Sequence, residues 1–235
     1  MTVSMKVMSA GDGYKYLLKC VVAADGDRAL STPLTRYYAE AGTPPGRWLG
    51  RGVCAMSRGV LSAGDAVTGD QLALLLGAGR VPVTGEQLGL AFPQYASICE
   101  RIASRAASLS GSLSEDQRTD AIGKITAEEQ VLGESRAVAG FDFTFSVPKS
   151  VSVLWGVADA GTQALIVEAH HAAVKETLDL LEREVAVTRV GRNNGTGAVA
   201  QIDVVGVIAA AFDHWDSRLG DPQLHAHVVI SNTVK

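Results

Sequence analysis

Three of the five histidines fall in one segment, AFDHWDSRLGDPQLHAHVVISN, at His214, His225 and His227. Alternate side chains of a β-strand share a face, so His225 and His227 would project together while Ala226 turns into the packed layer. The Asp-Ser-Arg-Leu-Gly-Asp-Pro loop would then return His214, at the end of the preceding strand, beside them. Three imidazoles can hold one divalent cation and leave positions open for water or a substrate oxygen. An HxH pair alone says less, because alternating polar residues on a half-exposed strand produce it too. The third histidine and the polar loop add the weight. Imidazole ligands favour Zn²⁺, Ni²⁺ or Mn²⁺ over a hard cation such as Mg²⁺. An open metal site polarises a phosphoryl oxygen or lowers the pKa of bound water, which suits hydrolysis and phosphoryl transfer equally.

A nucleophile would separate those two reactions. Four of the five tyrosines, Tyr14, Tyr16, Tyr37 and Tyr38, stand in the first 38 residues. A phenol with a pKa of about 10 is a poor nucleophile, but beside a metal or a base its phenolate attacks and forms a covalent intermediate. For any one of them, aromatic packing with the hydroxyl at the surface is the competing reading. His170 and His171 read as solvated or packing residues, because nothing near them supplies metal-ligand spacing.

The elements that would position these groups follow from periodicity. Residues 1–50 read as loop-rich, ending in the Thr43-Pro44-Pro45-Gly46 turn signal. TGDQLALLLG from Thr68 and TGEQLGLAF from Thr84 each read as a short helix with threonine as N-cap. Ile98, Ile102, Ala106 and Leu109 are at helical spacing, and a second polar helix is expected over 116–132. VAGFDFTFSVPKSVSVLW, from Val138 to Trp155, alternates and reads as a strand entering a Pro148 turn, with a buried edge or loop after it. Gly161 to Glu184 reads as the clearest helix, with Leu165, Ala169, Ala172, Leu178 and Leu181 near one stripe. Val185–Val190 and Gly197–Phe212 read as strands around an Asn194-Gly195 hairpin turn, and Leu224–Asn232 as a last strand. Hairpin signals outnumber strand-helix-strand alternations, so the expected fold is α+β, two layers, with helices packed on a central, largely antiparallel sheet.

Composition narrows the class. The chain has 235 residues, is 47% hydrophobic and 20% charged, and carries 25 glycines and 7 prolines, in the range of globular proteins and enough for one sizeable core. Cys20, Cys54 and Cys99 are odd in number and contain no CxxC pair, which argues for a reducing cytoplasmic setting and against a disulfide framework or thiolate metal site. No secretory h-region is present at the N-terminus. The longest apolar run, Val204 to Phe212, is broken by Gly206 and is too short to span a bilayer. A net charge of −4 argues against nucleic-acid binding by the whole surface and leaves a local basic groove open.

Taken together, the N-terminal tyrosines, GFDFTFSVPKSVSVLW at 140–155 and FDHWDSRLGDPQLHAHVVISN at 212–232 resemble the relaxase domain of conjugative plasmids, the MobF type of HUH endonuclease. The central stretch is similar to that family's GFDxTFSxPKSVS motif, and the last holds a histidine, a Ser-Arg pair and DPQLHxH in the family's order. The likeness extends across the chain except for 51–135, a helical region it does not reach. It implies an HUH-like fold and a single domain over 1–235, truncated at the C-terminus, since family members continue with more relaxase sequence and commonly a helicase. The implied activity is that of a single-stranded DNA endonuclease and strand transferase. Such an enzyme nicks an origin of transfer that carries a hairpin and becomes linked through tyrosine to the 5′ phosphate. Other relaxosome or transfer proteins are the implied partners.

The same resemblance assigns residues. It makes His214, His225 and His227 the ligands of one divalent ion, Mg²⁺ or Mn²⁺ by family and Zn²⁺ or Ni²⁺ by ligand type. Asp142 matches the acidic residue that orients a ligand histidine or helps deprotonate the tyrosine. Arg218 matches the position that steadies the phosphate's developing charge. Lys149, Arg189 and Arg192 fit DNA-backbone contacts, with a solvated face as an equal reading. The family places its first tyrosines as an adjacent pair, whereas this chain has Tyr14-Lys15-Tyr16 and a later Tyr37-Tyr38. Tyr14 or Tyr16 is expected to cut, and Tyr37 or Tyr38 to accept a second transfer. The alternatives are a related rolling-circle or transposition nuclease, a noncatalytic DNA-hairpin-binding module, and a hydrolase of small phosphoesters using the histidines and Asp142.

Overall fold

The computed structural model describes residues 1–18, 43–190, 200–217, 219 and 221–234. Tyr37, Tyr38, Arg192, Arg218 and the Asn194-Gly195 turn lie outside the described residues, and of Arg189 only the backbone is described. The strands are β1 (Thr2–Ser9), β2 (Arg47–Leu49), β3 (Val138–Ser146), β4 (Val187–Val190), β5 (Ala200–Asp203), β6 (Ala209–Asp216) and β7 (Pro222–Ser231). The helices are α1 (Gly52–Met56), α2 (Gly69–Leu72, running into a π-turn over Ala73–Gly77), α3 (Ile98–Ala107), α4 (Glu115–Leu132), α5 (Lys149–Val157) and α6 (Ala160–Glu184). A 3-10 helix spans Asp12–Leu18.

The strands of the main sheet run in the order β1-β3-β7-β6-β2, every neighbouring pair antiparallel. β4 and β5 pair antiparallel as a separate ribbon flanking the expected hairpin turn. Register decides which side chains meet. Phe145 pairs with Ala226, Ala211 with Val228 and Ala209 with Ile230, and all six join Val174 and Leu178 of α6 in one core cluster. Burying each of the two α6 side chains contributes about 1.5–3 kcal/mol. The period of two therefore turns Asp142, Thr144, His214, His225 and His227 to the opposite face. Gly140 sits where β3 and β7 pass closest, since a Cβ there would lie 2.4 Å from the Ile230 carbonyl oxygen.

α6 starts where expected, with the Asp159 carboxylate accepting from the N–H groups of Gly161 and Thr162. Its buried stripe differs from the expected one. Gln163, His170, Val174, Leu178 and Glu182 face inward, while Leu165 is 68% exposed. At roughly 100° per residue, Leu165 stands about 200° from Gln163, on the other side of the helix. Two of the buried polar members are held by backbone: Gln163 Nε2 donates to the Trp155 carbonyl at 2.7 Å, and Glu182 accepts from the N–H groups of Arg51 and Val207.

Three further expectations are corrected. The first residues form β1, because Val3, Met5 and Val7 alternate along an edge strand paired only to β3. Those three side chains are exposed, so the alternation has no buried face to announce it. The segment from Thr84 folds as a turn: Gly85 and Gly89 adopt positive φ, and Val81 N–H bonds back to the Glu86 carbonyl. After Pro148 the chain forms α5 instead of a loop. Proline takes the N-cap position, and Ser152 and Trp155, three apart, supply the buried face, while Val153, Leu154 and Val157 point to solvent.

The described residues divide into two compact units, Met1–Ala91 with Val138–Lys235, and Phe92–Ala137. The second is a hairpin of α3 and α4, each opened by a capping box, Ser97 with Glu100 and Ser114 with Gln117. Arg101 and Arg105 of α3 converge on the Glu129 carboxylate of α4 at 2.7 and 2.9 Å, which fixes the register of the pair. The α2 capping box at Thr68 confirms the helix expected there.

Candidate active site

β6 and β7 place His214 directly opposite His225, and β7 carries His227 two residues on, beside Thr144 of β3. The ring centroids are 5.3 Å apart for His214 and His225, 5.0 Å for His214 and His227, and 5.3 Å for His225 and His227. One ligand nitrogen from each ring lies within 4.8 Å of the others, close enough to share one ion. No other such group occurs among the described residues.

The outer nitrogens are already committed. His225 Nδ1 lies 2.8 Å from the Gln223 carbonyl, which can only accept, so Nδ1 carries the proton and Nε2 keeps a lone pair. His227 Nδ1 lies 2.9 Å from Asp142 Oδ2 and 3.0 Å from Oδ1, which fixes the same tautomer. The Thr144 hydroxyl stands 3.3 Å from that nitrogen. His214 Nε2 is buried with no hydrogen-bond partner, an atom that a cation would satisfy. The donor set therefore fits a divalent ion held by three imidazoles.

Electrostatics agree with that use. Burial, reinforced by His227 and His225, brings the His214 imidazole down to about 4. Burial also lowers His225, partly offset by its bond to the Gln223 carbonyl. Both shifts favour the neutral imidazole, the form that ligates.

Tyr16 enters this cluster from the 3-10 helix. Its hydroxyl donates to Asp142 Oδ2 at 2.5 Å, and its ring meets His227 edge-on at 5.7 Å. Burial, then the bond to Asp142, pushes the Tyr16 hydroxyl well above the ordinary phenol value. Tyr14, two residues earlier, is 8% exposed and packs near Gly77. Of the two early tyrosines, the structure brings only Tyr16 to Asp142. Lys149 Nζ is engaged by the Asp221 carboxylate and by the Pro222 carbonyl at 2.9 Å. Sequence reasoning missed Thr144, although its position two residues after Asp142 on one strand places both on the same face.

Behind His214, on the helix side of β6, Asp213 is buried and accepts from Arg47 Nη1 at 2.5 Å and His171 Nε2 at 2.9 Å. Burial alone would raise its carboxyl; the His171 bond and the Arg47 charge outweigh that and hold it far below the usual range. Asp213→Ala is expected to destabilise the fold by about 3–5 kcal/mol in urea unfolding, because it leaves Arg47 and His171 without their shared carboxylate.

His170, expected as a packing or solvated residue, is buried, and burial lowers it to about 4. The unfolded chain takes up that proton near the ordinary value of about 6.5 and the folded chain does not, so stability is lost as pH falls from about 6.5 to 4. Wild type is expected to lose about 2–3 kcal/mol more than His170→Phe between pH 7 and 4.5. Equal losses in urea unfolding would refute this.

An antiparallel sheet with α6 packed on one face and three histidines, a carboxylate and a tyrosine gathered on the other defines the HUH-like relaxase class. Comparison with known proteins narrows it further: the TrwC relaxase family profile matches residues 10–235, and the chain belongs to that family. It is 35% identical over 103 residues to the multifunctional conjugation protein TraI of Escherichia coli, a stretch covering 44% of this chain and 6% of that protein. Among solved structures it is similar to the metal-bound conjugative relaxase TrwC in complex with OriT DNA, with a TM-score of 0.56 and 22% identity, covering all of this chain and 58% of that one. A TrwC complex with a 27-mer DNA comprising the recognition hairpin and the cleavage site has a TM-score of 0.54 and 20% identity, covering all of this chain and 56% of that one.

Proposed function

We propose that this chain is a metal-dependent relaxase that nicks single-stranded DNA at an origin of transfer through a covalent 5′-phosphotyrosine intermediate. The observation that carries it is the hydrogen bond from the Tyr16 hydroxyl to Asp142, the same carboxylate that holds His227. His214, His225 and His227 would hold the ion through their inner nitrogens. When bound, a divalent ion there supplies charge to the scissile phosphate and lowers the cost of a phenolate nearby. Mn²⁺ or Mg²⁺ is the ion that the family resemblance implies, and Zn²⁺ or Ni²⁺ also suits imidazole.

The chemistry of the chain's own residues follows from the geometry. Tyr16 Oη attacks phosphorus while its proton passes to Asp142 Oδ2, along the hydrogen bond already made. The new O–P bond replaces the bond to the 3′ oxygen, which leaves with the bonding pair as the 3′ oxyanion and takes a proton from water to become the 3′ hydroxyl. Burial and the Asp142 bond disfavour a free phenolate at Tyr16, so the proposed route passes its proton to Asp142 as the O–P bond forms. Arg218 would steady the charge on the phosphate, Tyr37 or Tyr38 would accept a second strand, and Arg189 and Arg192 would contact the DNA backbone.

Single-stranded origin DNA with a hairpin is the proposed substrate, supported by the similarity to TrwC complexes with OriT DNA and with a 27-mer comprising the recognition hairpin and the cleavage site. Other transfer proteins are proposed partners and the cytoplasm the proposed setting; no described helix is long and apolar enough to cross a membrane. The unit Met1–Ala91 with Val138–Lys235 holds the site, as the core of a relaxase domain. A hydrolase of small phosphoesters would leave the Tyr16 to Asp142 bond without a purpose. The test is a denaturing gel of the protein with Mn²⁺ and labelled single-stranded oligonucleotides tiled across its own mobile element. A covalent adduct that disappears with chelator is expected; none on any oligonucleotide would refute the reading.

A further inference from the structure

The Pro148-Lys149-Ser150-Val151-Ser152 segment contributes no residue to the histidine cluster, yet α5 grips the strand that carries two of its members. Ser152 is fully buried, and its Oγ accepts from the Leu224 N–H at 3.1 Å. Val147 N–H donates to the Leu224 carbonyl at 3.3 Å. Both backbone polar groups of Leu224 are thus bound, one by Ser152 of this segment and one by Val147 just before it, and the next residue is His225.

At the first position of α5, Lys149 donates to the Pro222 carbonyl and pairs with Asp221. The other Asp221 carboxylate oxygen accepts from Ser217 Oγ, and Ser217 N–H donates to the Asp221 carbonyl at 2.9 Å, across the loop between β6 and β7. Near the end of α5, Gly156 lies so close to Pro222 that a Cβ would come within 2.9 Å of its ring. Trp155 stacks on Trp215 at 5.1 Å with 12° between the planes, and both pack on Leu224.

These contacts converge on an irregularity. His214 pairs with His225 and Asp216 with Pro222, so Gln223 and Leu224 of β7 together face Trp215 of β6. A bulge of this kind re-aims the side chains next to it, and a strand free to shift there would carry His225 off its ligand position. Gln223 also supplies the carbonyl that sets the His225 tautomer.

We propose that Lys149 and Ser152 are positioning residues for the metal site: they lock the bulge of β7 and aim His225, and Lys149 acts there, not on DNA phosphates. This rests on the metal reading of the histidine triad given above. Three measurements on wild type, Ser152→Ala and Lys149→Met test it: Mn²⁺ titration calorimetry, the visible spectrum of Co²⁺-loaded protein, and hairpin-oligonucleotide affinity across a salt series. Both variants are expected to bind Mn²⁺ roughly 10-fold more weakly and to shift the Co²⁺ bands, as loss of groups that orient ligands does. Lys149→Met is expected to keep the wild-type salt slope. Wild-type Mn²⁺ affinity and Co²⁺ spectrum in both variants would overturn the proposal. So would a salt slope shallower by about 0.7 in Lys149→Met, which would make Lys149 a phosphate contact. If wild type itself bound no Mn²⁺, the metal reading would fall and this proposal with it. Should Ser152→Ala not fold, Lys149→Met, a change at an exposed side chain, decides alone.

Discussion

A Tyr16→Phe variant is expected to form no covalent adduct with origin DNA, a fall of at least about 10³-fold, while its Mn²⁺ affinity stays at the wild-type level. Phenylalanine keeps the ring that meets His227 edge-on and removes only the oxygen that would bond to phosphorus. The variant also leaves Asp142 bound to His227, so the ligand geometry has no reason to change. Tyr14→Phe serves as the control. Its ring is packed in the interior near Gly77, and it is expected to retain adduct formation. An adduct surviving in Tyr16→Phe and lost in Tyr14→Phe would reverse the assignment.

His225→Ala is expected to lower Mn²⁺ affinity by more than about 100-fold and to carry adduct formation down with it. A three-imidazole site has no spare ligand, and no other side chain among the described residues stands where it could replace one. His225 is only partly buried and its outer nitrogen bonds a carbonyl of its own strand, so fold stability should change by less than binding does. Calorimetric metal titration beside urea unfolding separates the two effects. Wild-type adduct formation in a variant with no measurable metal binding would show that the triad does not serve the reaction.

How far the sequence reports this molecule depends on whether a residue's partners are near it in the chain. The HxH alternation in β7 and the return of His214 follow from strand periodicity and one short loop, and the structure places all three rings together. The choice between Tyr14 and Tyr16 does not follow, because both lie on a short 3-10 helix and only its packing against β1 and the Ala73–Gly77 turn brings one of them to Asp142. β1 is not legible in the sequence, because an edge strand with exposed Val3, Met5 and Val7 has no buried face to mark it. The buried stripe of α6 departs from hydrophobic periodicity because Gln163, His170 and Glu182 are buried polar residues, positions that periodicity assigns to solvent. α5 was hidden by its β-branched valines and its proline, whose place at the helix start becomes clear only once Ser152 and Trp155 are seen to face inward.

The central claim is that Tyr16 becomes linked to the 5′ phosphate with the histidine cluster beside it. Peptide mass spectrometry of the purified protein–DNA adduct tests it most directly. A nucleotide remnant on the peptide containing Tyr16, formed with Mn²⁺ and absent with chelator, is the expected result. A remnant on Tyr14 or on no tyrosine at all, with metal bound, would contradict it.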